Sequence, residues 1–204
     1  MEQKIDMIVN RLPAKTWNRL SVNQAEIKDL TADGWQRPAV TVRYPKDEKP
    51  IVRELTTEQE SSVYKKMEQI RTGMGAEVSR LKPEDATDIC VETVEEGGES
   101  DERRERMRRD EVVLVLDYPD RKNCFQDVKI YARAGESVTV WTVVRSKKDA
   151  EGKAVLRTLL QAEENAKIRL VQVDLLGDRM QLFNDIGVES GKQAQIEVVQ
   201  LFLG

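Results

Sequence analysis

The sequence predicts a mainly β protein whose C-terminal half folds as a β-solenoid core, preceded by a smaller mixed α/β region. Residues 166–175 match residues 194–203 position by position at an offset of 28, with apolar residues at the same places. A second step of 28 reaches the apolar run at 138–144, and a third reaches Val112 and Val115. A turn-forming segment precedes each later copy. Repeats of this length, in which each unit contacts only its neighbours, are typical of solenoids.

The apolar alternation shifts by one residue inside each of the last two copies. In the earlier of the two it passes from Ile168 and Leu170 to Val171 and Val173. Because a strict two-residue period cannot shift without moving side chains to the other face, we predict a bend or bulge at this point of each rung. A plain antiparallel sandwich is the alternative fold, since the intervening segments match less closely.

Residues 1–94 form the first of three zones and predict both helix and strand. Apolar residues within Ile5–Leu12 recur at i, i+3, i+4 and i+7, which predicts a short amphipathic helix ended by Pro13. Residues 39–44 predict a strand. Residues 57–60 match a capping box, in which a hydroxyl and a carboxylate each accept a backbone hydrogen bond, and therefore predict a second helix. Its apolar face would comprise Val63, Met67 and Ile70.

The second zone, residues 95–111, is a charged hinge or loop with almost no apolar side chains. Its arginines, within Arg103–Arg109, could form an anion-binding cluster. Acidic residues alternate with them, so a self-neutralising surface insertion is the favoured interpretation. The third zone, residues 112–204, is the solenoid core.

Composition excludes several classes of function. The 204 residues include 33 Lys and Arg against 37 Asp and Glu, and this net charge of −4 disfavours binding to nucleic-acid phosphates. The N-terminal residues lack the layout of a signal peptide, and no apolar run is long enough to span a membrane. We therefore expect a cytoplasmic protein with neither nucleic acid nor membrane as a partner. Histidine, the commonest general base, is absent, so we expect no enzyme and no catalytic residue.

Asp117, Asp120 and Asp127 offer one route to an enzyme, since β-helical carbohydrate-active enzymes use grouped carboxylates. The segment also contains Pro119 and Asn123, which favour turns in which Asp bonds the backbone. We therefore interpret these aspartates as turn residues.

Two further features have structural interpretations. The Gly73-x-Gly75 pair lacks the third glycine and the strand–helix setting of a dinucleotide-binding loop, so we interpret it as a helix stop. Trp17 and Trp35 are interpreted as packing anchors rather than a ligand platform.

The last residues of the sequence, 198–204, are among its most apolar and fall in the middle of a rung. Solenoids need a polar cap on each terminal rung, because an uncovered apolar strand aggregates. We therefore expect either a longer protein or a homodimer that covers this rung. The predicted interface comprises Val199, Leu201, Phe202 and Leu203.

Four segments, in this order, resemble the SufB/SufD family, the scaffold proteins of the Suf iron–sulfur cluster assembly system, with SufD-like members the closest. They are residues 12–18 (LPAKTWN), 73–81 (GMGAEVSRL), 162–173 (AEENAKIRLVQV) and 184–187 (NDIG). The resemblance covers most of the chain except residues 95–109. It implies a mixed N-terminal region, a right-handed parallel β-helix core and a C-terminal helical region, and the core agrees with the solenoid predicted from the repeat.

The resemblance also implies a function for the whole protein, a non-catalytic scaffold subunit that assembles with a SufB-type partner and a SufC-type ATPase. Family members are about twice this length, and their later rungs and C-terminal helices hold the residues proposed for cluster binding and docking. No position of this chain matches those residues, so no site residue is transferred. A stand-alone β-solenoid interaction module and a carbohydrate-active β-helix enzyme are the alternative functions.

Cys90 and Cys124 are the only cysteines and do not form a C-x-x-C pair. Iron–sulfur clusters are held by about four ligands, so two separate cysteines without histidine leave the coordination incomplete. We expect ordinary buried thiols, no cofactor or metal bound by this chain alone, and an iron–sulfur cluster only in the complete complex.

Overall fold

The structure is a computed structural model that describes residues 4–9, 25–31, 34–44, 50–93 and 110–203. The fold is mainly β, as predicted, with parallel strands stacked into a β-solenoid of about three turns behind a small N-terminal region. The predicted hinge arginines and Trp17 lie outside the described residues.

The described strands fall into a short N-terminal group and a longer solenoid group. The first group is β1 (Lys4–Val9), β2 (Ala25–Thr31), β3 (Trp35–Gln36), β4 (Ala39–Arg43) and β5 (Ile51–Leu55). The second group is β6 (Asp88–Glu92), β7 (Asp110–Asp117), β8 (Asn123–Ala132), β9 (Ser137–Arg145), β10 (Glu151–Ala162), β11 (Lys167–Leu175), β12 (Arg179–Ser190) and β13 (Gln195–Phe202). Between the groups lie helix α1 (Ser62–Met67) and a 3-10 helix (Ala76–Leu81).

Successive solenoid strands alternate between two sheets. Sheet 1 has the order β5-β6-β8-β10-β12, and sheet 2 has the order β4-β7-β9-β11-β13. From β6 onward, neighbours within each sheet are parallel, so each rung contributes one strand to each sheet. Parallel stacking therefore begins before the predicted core, because β6 lies in the first zone and β7 begins at Asp110 in the predicted hinge.

Paired parallel strands are 28 residues apart at three steps, 30 at two, and 39 between β6 and β8. Lys167 pairs with Gln195 at the predicted offset of 28, but Ser137 pairs with Lys167 at an offset of 30. The two extra residues lie in the turn between β9 and β10, because β7 and β9 pair at 28 whereas β8 and β10 pair at 30. The predicted match of residue 166 with residue 138 was therefore wrong by two residues.

The predicted bend inside each rung is absent from β9, β11 and β13, whose pairing runs without a register shift. Inward and outward side chains still alternate along each strand, but the inward side chains change from apolar to polar. In β11, Ile168 and Leu170 face the interior, and the next inward positions are the buried Gln172 and Asp174. The valines that suggested a shift lie on the outer face of sheet 2.

The core lies between the two sheets. It consists mainly of aliphatic side chains at alternate positions, which is the pattern expected where both sheets present one face to the interior. Its fully buried members include Val112, Leu114, Leu116, Val128, Ile130, Val140, Leu156, Leu160 and Leu170.

The N-terminal end of the solenoid is covered by antiparallel strands. The predicted strand at 39–44 forms β4, which pairs antiparallel with β7 along the edge of sheet 2. In sheet 1, β5 pairs antiparallel with β6, while the two-residue β3 pairs parallel with the start of β8. Antiparallel additions of this kind satisfy the backbone groups of an edge that would otherwise recruit another strand.

The helix predicted at 5–12 was wrong over its described part. Residues 4–9 form β1, paired antiparallel with β2. Ile5, Met7 and Val9 are buried, whereas Ile8 is 47% exposed, so the period is two residues. The burial of Ile5 and Val9 fits either a strand or a helix, whereas the burial of Met7 between them fits only a strand.

The second predicted helix is present but shorter than expected. Helix α1 spans only Ser62–Met67, and its N-cap residue Ser61 makes no side-chain capping bond. Glu60, assigned to a capping box, is buried in an ion pair instead. Gly75, with φ of +69°, begins the 3-10 helix, so the two glycines separate two helices rather than ending one long helix.

Candidate functional site

The outer face of sheet 1 packs against residues 60–82, which we call the cap segment. Two apolar clusters flank a row of buried charges on this face. The first cluster comprises Ile5, Met7, Val9, Leu30, Trp35, Met74, Val78, Leu81, Phe125 and Val155, so Trp35 packs as predicted. The second comprises Tyr64, Met67, Cys90, Tyr131 and Leu159.

Arg157 of β10 is the centre of the charged row. Its Nε and Nη2 atoms donate to the two carboxylate oxygens of Asp127 on β8, at 2.6 and 2.7 Å. Nη2 also donates to Glu68 at 2.8 Å, and Nη1 donates to Ser79 Oγ at 2.9 Å. One guanidinium thus joins two strands of the solenoid to both helical parts of the cap segment. Burial opposes the charge, but the bond to Asp127 raises the pKa of Arg157 overall.

Lys129 of β8 is fully buried and contacts three carboxylates. Its Nζ atom lies 2.5 Å from Glu60, 2.6 Å from Glu68 and 2.9 Å from Asp88. Burial alone would lower the pKa of Lys129, but the three carboxylates raise it, so the ammonium stays charged. These bonds connect the start and the end of α1 to β6 and β8.

Glu60 and Asp88 lie side by side, and their pKa values are shifted in opposite directions. Burial raises the pKa of Glu60 to about 7, and the neighbouring Asp88 carboxyl group adds to this effect. Burial also disfavours the charged form of Asp88, but the neighbouring Glu60 and the ammonium groups of Lys129 and Lys82 lower its pKa overall. The pair can therefore share one proton, with Asp88 as the charged partner.

The carboxylate oxygens of Glu60, Glu68 and Asp88 lie within 4.8 Å of one another, a spacing that could hold a metal ion. The Nζ atom of Lys129 lies within 2.9 Å of an oxygen of each of the three, so the protein supplies the cation itself. The arrangement is an ion-pair network, and we assign no metal to it.

Two of the family-like segments meet at this interface. The backbone N–H of Met74 donates to Asp185 Oδ1 at 3.1 Å, which joins segment 73–81 to segment 184–187. β12 also approaches the cap segment closely at Gly187, because a Cβ there would lie 2.8 Å from Thr72 and 2.9 Å from Ile70. Segments 73–81 and 184–187, which are far apart in the sequence, thus join the cap segment to β12.

The two cysteines lie in different parts of the molecule. Cys90 faces the cap segment, whereas Cys124 is in the core between the sheets. Cys90 pairs with Lys129, five positions from Cys124 along β8, which corresponds to about 17 Å. Burial raises the pKa of Cys90 to about 12 and that of Cys124 to about 11. Both are therefore buried thiols, as expected, and each lies far from the other.

Of the three aspartates of the possible enzyme site, Asp117 and Asp120 line one cleft, whereas Asp127 lies apart from them. Asp117 ends β7 and pairs with Arg145 on the next rung. Asp120 accepts a hydrogen bond from the backbone N–H of Glu151 at 3.0 Å, as expected of a turn residue. The turn interpretation was wrong for Asp127, which is buried in the middle of β8 and pairs with Arg157.

The predicted interface residues lie on the last strand and just beyond it. Val199, Leu201 and Leu203 alternate on the outer face of sheet 2, whereas Phe202 is in register with the inward-facing Asp174. Leu201, Phe202 and Leu203 are 42%, 64% and 69% exposed. The four residues therefore place apolar side chains on both faces of β13, whose outer edge no described strand covers. We call these four residues and this edge the open rung.

Sequence reasoning missed the ion-pair network, although one signal was present. Asp127 and Lys129 interrupt an otherwise largely apolar strand, and Arg157 follows Asp127 at the rung spacing of 30. Charged residues inside such a strand must be paired or exposed. Nothing local identified Glu60, Glu68 and Lys82 as their partners.

Comparison with family models, with curated proteins and with solved structures found no match. No helix among the described residues is long and apolar enough to cross a membrane.

Proposed function

We propose that this chain is a non-catalytic assembly scaffold of the SufB/SufD type, acting in the cytoplasm through protein–protein contacts. The observation that supports it best is the open rung, a surface suited to contact with another protein. The four family-like segments support the finer assignment, and two of them join the cap segment to the solenoid.

The open rung combines two properties that favour association. Among the described strands, β12 pairs only with β10 and β13 pairs only with β11, so each has one edge available to another strand. Apolar side chains border these edges, and covering each large one is worth about 1.5–3 kcal/mol. Together they favour a partner that adds strands and covers apolar surface in one contact.

The occupant we propose for the 204-residue chain is a second copy. A two-fold contact needs only one self-complementary patch, and β13 presents backbone donors and acceptors together with apolar side chains. On the Suf proposal, a SufB-type partner and a SufC-type ATPase are bound by the full-length protein. The cluster belongs to that complex, since Cys90 and Cys124 cannot meet in this chain.

Co-purification tests the finer assignment. The tagged full-length protein, expressed with a SufC-type ATPase and a SufB-type partner, should retain both through a high-salt wash. A variant with Ile8→Lys, at an exposed position of β1 outside the solenoid, is a surface control and should retain them equally. Retention of neither partner would overturn the Suf assignment, and self-association through the open rung would then favour the stand-alone interaction module.

A further inference from the structure

The cap segment is held on sheet 1 by an ion-pair network in which two buried carboxyl groups lie beside each other. Glu60 and Asp88 are 5% and 1% exposed, and their carboxylate oxygens lie within 4.8 Å of each other. Glu68, the third carboxylate around Lys129, is exposed, so solvent stabilises its charge. Two like charges side by side in a protein interior are costly, and one bound proton would remove the repulsion between Glu60 and Asp88.

The geometry places that proton on Glu60. Its Oε1 atom accepts from Lys129 at 2.5 Å, but its Oε2 atom is buried and has no hydrogen-bond partner among the described residues. Asp88, on the adjacent strand β6, is the neighbour with which Glu60 can share a proton. A neutral Glu60 would donate Oε2–H to Asp88, whereas a charged Glu60 would place two carboxylates against each other.

We propose that the cap segment is a proton-dependent latch, docked on sheet 1 while Glu60 and Asp88 share a proton and released when that proton is lost. This inference does not depend on the proposed scaffold function. Release would expose the second apolar cluster, in which Tyr64 and Met67 of α1 cover Cys90, Tyr131 and Leu159.

The groups around Glu60 determine the direction of the pH dependence. Those facing it or linked to it by ion pairs are Lys129 and Asp127 of β8, Asp88 and Cys90 of β6, Glu68 after α1, Lys82 after the 3-10 helix, and Arg157 of β10. Burial and Asp88 raise the pKa of Glu60 from 4.5 to about 7, against the opposing effect of Lys129. A group whose pKa is raised in the docked state stabilises docking at low pH, and this stabilisation is lost as the pH rises through 7.

The two pKa values of Glu60 set the size of the effect. With about 7 in the docked state and 4.5 in the released state, linkage gives an increase of about tenfold in the released fraction between pH 6 and pH 8.5. Cys90 reports release because it lies under α1, and Cys124 reports unfolding of the solenoid because it lies in the core.

The experiment is iodoacetamide labelling at pH 6 and pH 8.5, with each cysteine quantified by mass spectrometry. Glu60→Gln is the test variant, because a glutamine amide can donate to Asp88 as the neutral acid would. Exposed Glu58 supplies the matched control, Glu58→Gln. Comparing variants at the same pH cancels the intrinsic reactivity of the thiolate.

We expect the labelling rate of Cys90 in the wild type, relative to Glu60→Gln, to rise about tenfold between the two pH values, with no relative change at Cys124. Glu58→Gln should behave like the wild type. Equal pH responses in wild type and Glu60→Gln, or a parallel rise at Cys124, would overturn the latch. Amide hydrogen exchange of the wild type, corrected for intrinsic rates, provides a second test: residues 60–82 should lose protection at pH 8.5 while 137–175 keep theirs, and unchanged protection of 60–82 would also overturn it.

Discussion

At the N-terminal end of the solenoid, β4 and β5 close both sheets with antiparallel strands, whereas at the other end β12 and β13 each have one edge that no described strand covers. The side chains differ in the same way. Leu116 of β7, which pairs with β4, is fully buried, while Leu203, which follows β13, is 69% exposed. One end is covered by other described strands, and the other has exposed apolar side chains.

The cap segment adds a second contrast, between apolar and ionic contacts. The rungs stack through aliphatic side chains, which tolerate small changes in position, whereas the cap interface depends on directional bonds to Lys129 and Arg157. Buried ion pairs contribute little net stability over apolar packing, but the loss of one partner is severe. The cap interface should therefore lose stability on single charge changes, whereas the open rung should not.

The largest expected effect is that of Lys129→Met. Its removal leaves the buried carboxyl groups of Glu60 and Asp88 without the Lys129 ammonium, which should lower the free energy of unfolding by about 3–5 kcal/mol. Urea unfolding followed by circular dichroism measures this change. The matched control is Lys122→Met, at an exposed turn position just before the same strand, which should change stability by less than about 0.5 kcal/mol. Equal effects at the two lysines would contradict the network.

The two ends can be compared directly with one pair of leucine substitutions. Leu116→Ala removes a fully buried side chain at the covered end and should lower the free energy of unfolding by about 2–5 kcal/mol. Leu203→Ala removes an exposed side chain at the open end and should cost less than about 0.5 kcal/mol in the monomer. Urea unfolding at protein concentrations below the dissociation constant for self-association measures both. A large cost at Leu203 in dilute monomer would show that the open rung is covered within the chain.

A smaller effect is expected at the close approach between the cap segment and β12. Gly187→Ala would place a methyl group against Thr72 and Ile70, and this overpacking should cost about 1–3 kcal/mol. Ser190→Ala, at an exposed position of the same strand, is the matched control. Thermal unfolding of the two variants should separate them, and identical midpoints would argue against tight packing at Gly187.

The solenoid could be predicted because its repeat is local in sequence, and each rung places similar side chains at similar positions. The predicted interior bend was wrong because apolar residues on the outer face of sheet 2, such as Val171 and Val173, resemble core residues in a sequence. In the structure the inward positions at that point are Gln172 and Asp174. The sequence pattern therefore identified the strand correctly but assigned the wrong face.

The cap interface could not be predicted from the sequence, for a different reason. Glu60 pairs with Lys129 and Glu68 pairs with Arg157, contacts between residues 69 and 89 positions apart in the chain. No periodicity relates the cap segment to the rungs, so only the folded structure places those charges together. A glutamate three residues after a threonine fits a capping box equally well, which explains the error at Glu60.

The most direct test of the open rung as an assembly surface is sedimentation velocity on the wild type and on the double variant Leu201→Lys, Leu203→Lys. Ile8→Lys is the matched control, because Ile8 is also an exposed apolar residue but lies on β1, outside the solenoid. We predict a dimer for the wild type and for Ile8→Lys, and a monomer for the double variant. A wild type and a double variant that sediment as the same monomer would contradict the proposal that the open rung binds a partner copy.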